Sequence, residues 1–204
     1  MTYTPEKLEW FASNITYPGE DVSGDAFLVD ATEENLLACV IDGLGHGKKA
    51  SHASQAAVDA LTPLPAGTPA FLITHCHHAL TRTRGAVMSM AQINTAQNTL
   101  IWAGVGNVTG LVLKSTADAL GRPQREHLLT RGGIVGYKLP EIREQTIDFE
   151  PGDMLVLATD GIQSRFLEDL PRTPTARETA TTINTEYRHG NDDSLVLVVK
   201  YLLD

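Results

Sequence analysis

The chain has 204 residues, of which 42% are hydrophobic and 20% charged. That is an ordinary globular mixture, far from a disordered or collagenous composition, and it is enough for one well-buried domain over residues 1–204. A formal charge of −9 with a pI near 5.2 excludes nonspecific attraction to nucleic acid, which needs clustered Lys and Arg.

The opening, Met1 to Glu6, has no basic region leading into an apolar core, and no stretch approaches the roughly 18 apolar residues of a membrane span, so a cytoplasmic protein is expected. Alternating apolar residues predict strands over 8–17, 26–30 and 36–41, broken by Pro18-Gly19 and by Thr32 to Asn35. After Gly47 the period changes to that of a helix through Ala50, Ala53, Ala57, Ala60 and Leu61, ended by Pro63 and Pro65. A second helix is predicted from Pro69 to Arg84, with Gly85 as its cap. Strands follow over 87–94, 99–105 and 109–113, then a polar loop over 115–126. Further strands are predicted at 127–130, 144–149 and 154–159, then helices over 161–170 and 175–188, and a last strand over 194–203.

Strands in runs, separated by helix pairs, do not give the strict alternation of a parallel α/β fold. They predict an α+β αββα sandwich of two antiparallel sheets with helix pairs on the outer faces. Cys39 lies in an apolar run and Cys76 on a helical stripe, which predicts buried free thiols. His75, His77 and His78 diverge around that same helix, which argues against a shared ion. Trp10 and Trp102, within strand-like runs, are expected in core or rim packing. The Gly43 to Ser51 stretch has the wrong spacing for a phosphate-cradling P-loop, because Gly43 and Gly47 are separated by three residues rather than four. Lys48 and Lys49 are then expected in the first turn of a solvated helix, where either could meet an acidic partner or a substrate phosphate.

Four acidic positions mark strand ends: Asp25 before an apolar strand, Asp42 and Asp160 after two others, and Asp192 at the start of the last. Each alone is compatible with a turn residue or helix cap. Gathered together they would repel one another until relieved by Mg²⁺ or Mn²⁺, hard ions that prefer oxygen ligands. Two such ions about 3.5–4 Å apart suit phosphoryl chemistry, binding phosphate oxygens and lowering the pKa of a water.

The contexts of these residues are a Gly24-Asp25 before a strand, Asp42-Gly43-Leu44-Gly45-His46-Gly47 leading into a helix, Gly152-Asp153-Met154-Leu155-Val156-Leu157-Ala158-Thr159-Asp160-Gly161, and Asp192-Asp193 beside the final strand. In this order, and over nearly the whole chain, they resemble the metal-dependent protein phosphatase (PPM) superfamily in its bacterial SpoIIE-like branch, above all its small members that reset the stressosome. The resemblance implies a hydrolase that removes phosphate from phosphoserine or phosphothreonine, with two Mn²⁺ or Mg²⁺ ions. It implies that Asp42 bridges the ions together with the backbone carbonyl of Gly43, that Asp160 and Asp192 hold one of them, and that Asp25 supports the other. Asp42 and Asp160 would act in catalysis through the water between the ions. Asp193 competes with Asp192, since a one-residue shift of register exchanges them. The implied partners are phosphorylated STAS-domain proteins of the stressosome, RsbS and RsbR.

Some positions depart from the wider pattern. Asn107 stands where larger relatives carry an aspartate tied to a third metal, the segment from Gly110 to Thr130 is too short for their substrate flap, and no N-terminal arginine is identifiable as a phosphate grip. His46 is expected to orient its turn, and Glu20 and Asp21 either solvate a loop or reach a metal through water. The competing reading is a catalytically silent phosphatase-like module that binds a phosphorylated signalling partner.

Overall fold

The structure, a computed structural model, describes residues 5–117, 123–170 and 175–203. Its strands are β1 (Leu8–Ile15), β2 (Asp25–Ala31), β3 (Asn35–Gly43), β4 (Ala86–Asn94), β5 (Thr99–Val105), β6 (Thr109–Ala117), β7 (Pro123–Leu128), β8 (Gln145–Asp148), β9 (Met154–Ala158) and β10 (Ser194–Tyr201). The helices are α1 (Lys48–Ala60), α2 (Pro69–Ala79), α3 (Phe166–Asp169) and α4 (Ala176–Glu186). Two antiparallel five-stranded sheets result, ordered β1-β10-β9-β6-β7 and β2-β3-β4-β5-β8.

The four-layer arrangement follows from strands that are apolar on both faces. In β3, Leu36, Ala38 and Val40 enter the core between the sheets, while Leu37, Cys39 and Ile41 face the helices α1 and α2. Likewise in β10, Leu195, Leu197 and Val199 pack between the sheets and Val196 and Val198 pack against α3 and α4. The period of two along a strand makes this division unavoidable once the register is set. The helix stripes match: Ala176, Ala180, Ile183 and Tyr187 of the α4 segment close the third cluster, and Thr175 caps that helix by accepting the Glu178 N–H at 3.1 Å.

The predicted αββα architecture is the one found, with several shifts. The chain from 161 to 170 forms only one helical turn, α3, after a turn at Asp160–Ile162. Helix α2 ends at Ala79 rather than Arg84, and Thr83 and Gly85 make a separate turn in which the Gly85 N–H donates to Thr83 Oγ1 at 2.9 Å. The expected loop over 115–126 is largely strand, β6 and β7 pairing as far as Ala117 and Pro123, and residues 118–122 lie outside the described residues. The opening residues 1–4 lie outside them too. Cys39 and Cys76 are buried free thiols, Trp102 is in the core, and Trp10 packs against its edge. Among the described residues, no helix is long and apolar enough to cross a membrane.

Candidate active site

Sheet pairing places the first two aspartates side by side: Asp25 of β2 is the cross-strand partner of Asp42 of β3. Both continue the inward-facing alternation of their strands, Phe27 and Val29 in one and Ala38 and Val40 in the other, so the apolar core gives way to carboxylates at this end of the sandwich. The other sheet contributes Asp160, two residues beyond β9, and Asp192 and Asp193, just before β10.

A cavity of about 170 Å³ opens between them, walled by Asp42, Asp160 and Asp192 with Leu44, Gly45, Val87, Asn107 and Ile134. Asp160 Oδ2 accepts from the Asn107 amide at 2.8 Å, and Asp192 Oδ1 accepts from the Asp193 N–H at 2.9 Å. Asp42 has no hydrogen bond or ion pair among the described residues. Asp25 lies behind Asp42 and is only 6% exposed; its Oδ2 accepts from the Thr159 hydroxyl at 2.8 Å, and that hydroxyl oxygen in turn accepts the Leu195 N–H at 2.9 Å. Thr159, directly after β9, therefore ties the Asp25 carboxylate to the end of β9 and to β10 in the opposite sheet.

The tandem aspartates separate cleanly. Asp193 is turned inward and 3% exposed, and its two oxygens accept the Tyr17 N–H and the Gly24 N–H, each at 2.8 Å. It clamps the 17–24 segment, whereas Asp192 faces the cavity. Gly43 is pressed against α1, where a Cβ would stand 2.1 Å from the Ala50 carbonyl oxygen, so only glycine permits this approach of strand and helix. The small face of α1, with Ala50, Ala53, Ser54 and Ala57 buried, makes the same close approach possible from the other side. His46 Nδ1 lies 2.7 Å from Glu20 Oε1, joining the turn before α1 to the loop before β2. Glu20 is occupied there, and a Cβ on Gly47 would collide with its carboxylate at 2.5 Å.

Burial is the largest influence on these carboxyls. It pushes Asp42 up to about 9, helped by repulsion from Asp25, Asp160, Asp192 and Asp193. It pushes Asp25 up to about 7, against the Thr159 hydrogen bond and with the repulsion of Asp193, Asp160 and Asp192. Asp192 is raised by the same cause, opposed by the Asp193 N–H and by His46. Among the described residues, no group of three or more His, Cys, Asp or Glu is closed into a cage that could hold an ion as it stands. The wall itself fits a hard divalent ion: it offers oxygens only, includes an unpartnered carboxylate, and leaves room for the waters such ions retain. A divalent charge in this space would also reverse the repulsion that holds protons on Asp25 and Asp42.

The sequence expectations meet here in part. Asp42, Asp160 and Asp192 share one wall, Asp25 and Asp193 stand behind it as anchored groups, and Gly43 faces the helix. Thr159 and Asn107 were not among the expected site residues. Thr159 sits in the Thr159-Asp160-Gly161 turn, and its position as the inward residue after Leu155 and Leu157 was the available signal. The histidines of α2 do not converge: His75 Nε2 meets the Ala60 carbonyl at 3.1 Å, and His77 Nδ1 accepts the Gly136 N–H at 2.9 Å.

The fold and its carboxylate-walled cleft define a PP2C-type phosphatase architecture. The family described as stage II sporulation protein E (SpoIIE) matches residues 32–202, and the chain belongs to this family. It is a serine/threonine protein phosphatase, a hydrolase. A relative from Bacillus subtilis (strain 168), phosphoserine phosphatase RsbX, is 26% identical over 157 residues, covering 77% of this chain and 76% of RsbX. A solved structure described under "The bacterial stressosome: a modular system that has been adapted to control secondary messenger signaling" superposes with a TM-score of 0.85 at 30% identity, over 96% of this chain and 100% of that one. The crystal structure of RsbX in complex with magnesium also gives a TM-score of 0.85, at 22% identity over 98% of both chains.

Proposed function

We propose that this phosphatase removes phosphate from phosphoserine or phosphothreonine on STAS-domain proteins of a stressosome, of the RsbS and RsbR kind, and so resets a bacterial stress-response pathway. Two divalent ions, Mg²⁺ or Mn²⁺, would be held at the cavity by Asp42, Asp160, Asp192 and the carbonyl of Gly43, with Asp25 supporting from behind. When bound, such ions neutralise phosphate oxygens and acidify a water for attack on phosphorus.

The chain's own residues set the stage for that chemistry. Asn107 orients the Asp160 carboxylate by donating to one of its oxygens, and both residues line the cavity. Thr159 fixes Asp25, and Asp193 fixes the loop that carries Gly24, so the two sheets hold their carboxylates in register. These linkages between strands of opposite sheets preorganise the cleft.

The observation that carries this reading is the sign of charge on the cavity wall. A module that only bound a phosphorylated partner would present cations to the phosphate, whereas three carboxylates repel it unless cations stand between. The support for the partner is the likeness to RsbX and to the stressosome-associated structure. Purified chain incubated with phosphorylated STAS-domain protein should release phosphate with Mg²⁺ or Mn²⁺ and none with EDTA. Release of phosphate from other phosphoproteins but not from STAS-domain protein would discard the partner and keep the enzyme. No release from any phosphoprotein, with metal binding demonstrated, would favour the silent module.

A further inference from the structure

A second cavity, of about 300 Å³, is lined by Lys48, Lys49, His52, Arg82, Thr83 and Arg84. It shares no lining residue with the acidic cavity but adjoins it through the Leu44–Gly45 turn. Arg84 Nη1 donates to the Leu44 carbonyl at 3.5 Å, and a Cβ on Gly45 would lie 2.9 Å from the same nitrogen. Leu44 and Gly45 themselves wall the acidic cavity.

Four of the chain's 16 Lys and Arg residues meet in this one place, although the chain as a whole carries −9. All four are exposed, and none of them forms an ion pair among the described residues. Two of them stand against local preference: Lys48 and Lys49 open α1, whose first turn has no acidic residue, at the helix end where cations are disfavoured. The ammonium groups, the guanidinium groups and the positive end of α1 therefore add to one another. On an acidic protein, uncompensated charge of this kind beside a reaction cleft attracts an anion. The phosphate to be cleaved belongs at the carboxylate-walled cavity, so the anion met here is another part of the same substrate.

We propose that this basic pocket receives Asp and Glu side chains that flank the phosphorylated residue of the protein substrate. Several cations distributed around an open pocket suit a short acidic run better than a single anion. The pocket selects substrates by neighbouring charge and lowers KM without entering the chemical step. This proposal rests on the phosphoprotein phosphatase reading given above.

The test uses the full chain and its Lys49→Gln/Arg82→Gln variant, with Lys49→Glu/Arg82→Glu as a charge-reversed companion. Three substrates are compared in Mg²⁺ or Mn²⁺: an aryl phosphate, a phosphoserine peptide flanked by Glu, and the same peptide flanked by Gln. Separately, fluorescence anisotropy follows binding of a labelled Glu-flanked peptide that carries no phosphate. The wild type should show a KM about tenfold lower for the Glu-flanked than for the Gln-flanked peptide, the effect of a few exposed ion pairs. The Gln variant should lose that difference with kcat and aryl phosphate turnover unchanged, and the Glu variant should invert it. Anisotropy should show peptide binding that weakens with salt and with either variant. Equal KM values for both peptides in the wild type would overturn the proposal, as would a parallel fall in aryl phosphate turnover in the variants. A peptide with a second phosphoserine that binds well while the Glu peptide binds no better than Gln would overturn it in favour of a phosphate pocket. If no substrate is turned over, anisotropy alone decides the pocket, and the failure belongs to the phosphatase reading.

Discussion

Replacing each of the tandem aspartates by asparagine should give opposite results, because one is a clamp and the other lines the cavity. In Asp193→Asn, one of the two accepting oxygens becomes an NH₂ group facing a backbone N–H, either that of Tyr17 or that of Gly24. A buried N–H left without an acceptor costs about 1–3 kcal/mol, and the surviving bond loses its charge assistance, about 1 kcal/mol more. Removing one negative charge from the group around Asp25 and Asp42 returns part of this, on the order of 0.5 kcal/mol. The net loss is about 1.5–3.5 kcal/mol, or roughly 3–14 °C in Tm for a chain of this size. Asp192→Asn keeps the amide oxygen that accepts the Asp193 N–H and removes a charge repelled by Asp160 and Asp193. Its stability should stay within about 0.5 kcal/mol of the parent or rise. Thermal and urea unfolding in EDTA measures both, and titration with Mn²⁺ should then show the affinity loss in Asp192→Asn. Equal destabilisation by the two variants, or greater destabilisation by Asp192→Asn, would refute the division of roles.

Three further outcomes are expected. Asp25 and Asp42 are raised to about 7 and about 9 from an ordinary 3.8, so in the folded state both hold protons more tightly than in the unfolded state; their contribution to stability is full below about pH 3.8 and is lost as pH rises through those values. Metal-free Asp42→Asn should therefore lose less stability than the parent between pH 6 and pH 9 in urea unfolding, and a parallel loss would contradict the raising of the Asp42 carboxyl by burial and neighbouring charge. In Gly161→Ala the new Cβ would stand 1.9 Å from the Asp193 carbonyl oxygen, which should cost about 1–3 kcal/mol and weaken Mn²⁺ binding by displacing Asp192, both read by calorimetry. Asp153, fully buried, accepts from Lys114 Nζ, from the Ser115 N–H at 2.6 Å and from the Glu150 N–H at 3.0 Å. Asp153→Ala should cost about 3–5 kcal/mol in denaturant unfolding while leaving the KM for aryl phosphate unchanged in the fraction that folds.

The layer architecture was legible because the strands carry two apolar faces and the helices one, and the period of each is set by backbone geometry. Asp42 and Asp160 were legible because strand ends with a following glycine stand out beside apolar runs. The choice between Asp192 and Asp193 was not, since it depends on which residue continues the inward alternation of Leu195 and Leu197, and that register is fixed only by pairing with β9 and β1. The helix predicted over 161–170 shortens to the single turn of α3 because Gly161-Ile162 is drawn into a turn, where the Ile162 N–H bonds the Thr159 carbonyl at 3.1 Å and the Gly161 carbonyl accepts the His189 N–H at 2.9 Å. The β6–β7 pairing leaves little trace in the sequence because its outer strand is polar, as an edge strand facing water tends to be.

The most direct test of the central claim is to locate the ions. Crystals grown with Mn²⁺ and measured at the manganese absorption edge should show two anomalous peaks in the cavity walled by Asp42, Asp160 and Asp192, and the Asp42→Asn crystals should lose at least one of them. Peaks elsewhere on the chain, or an empty cavity in crystals of an enzyme that turns over only with Mn²⁺, would contradict the account.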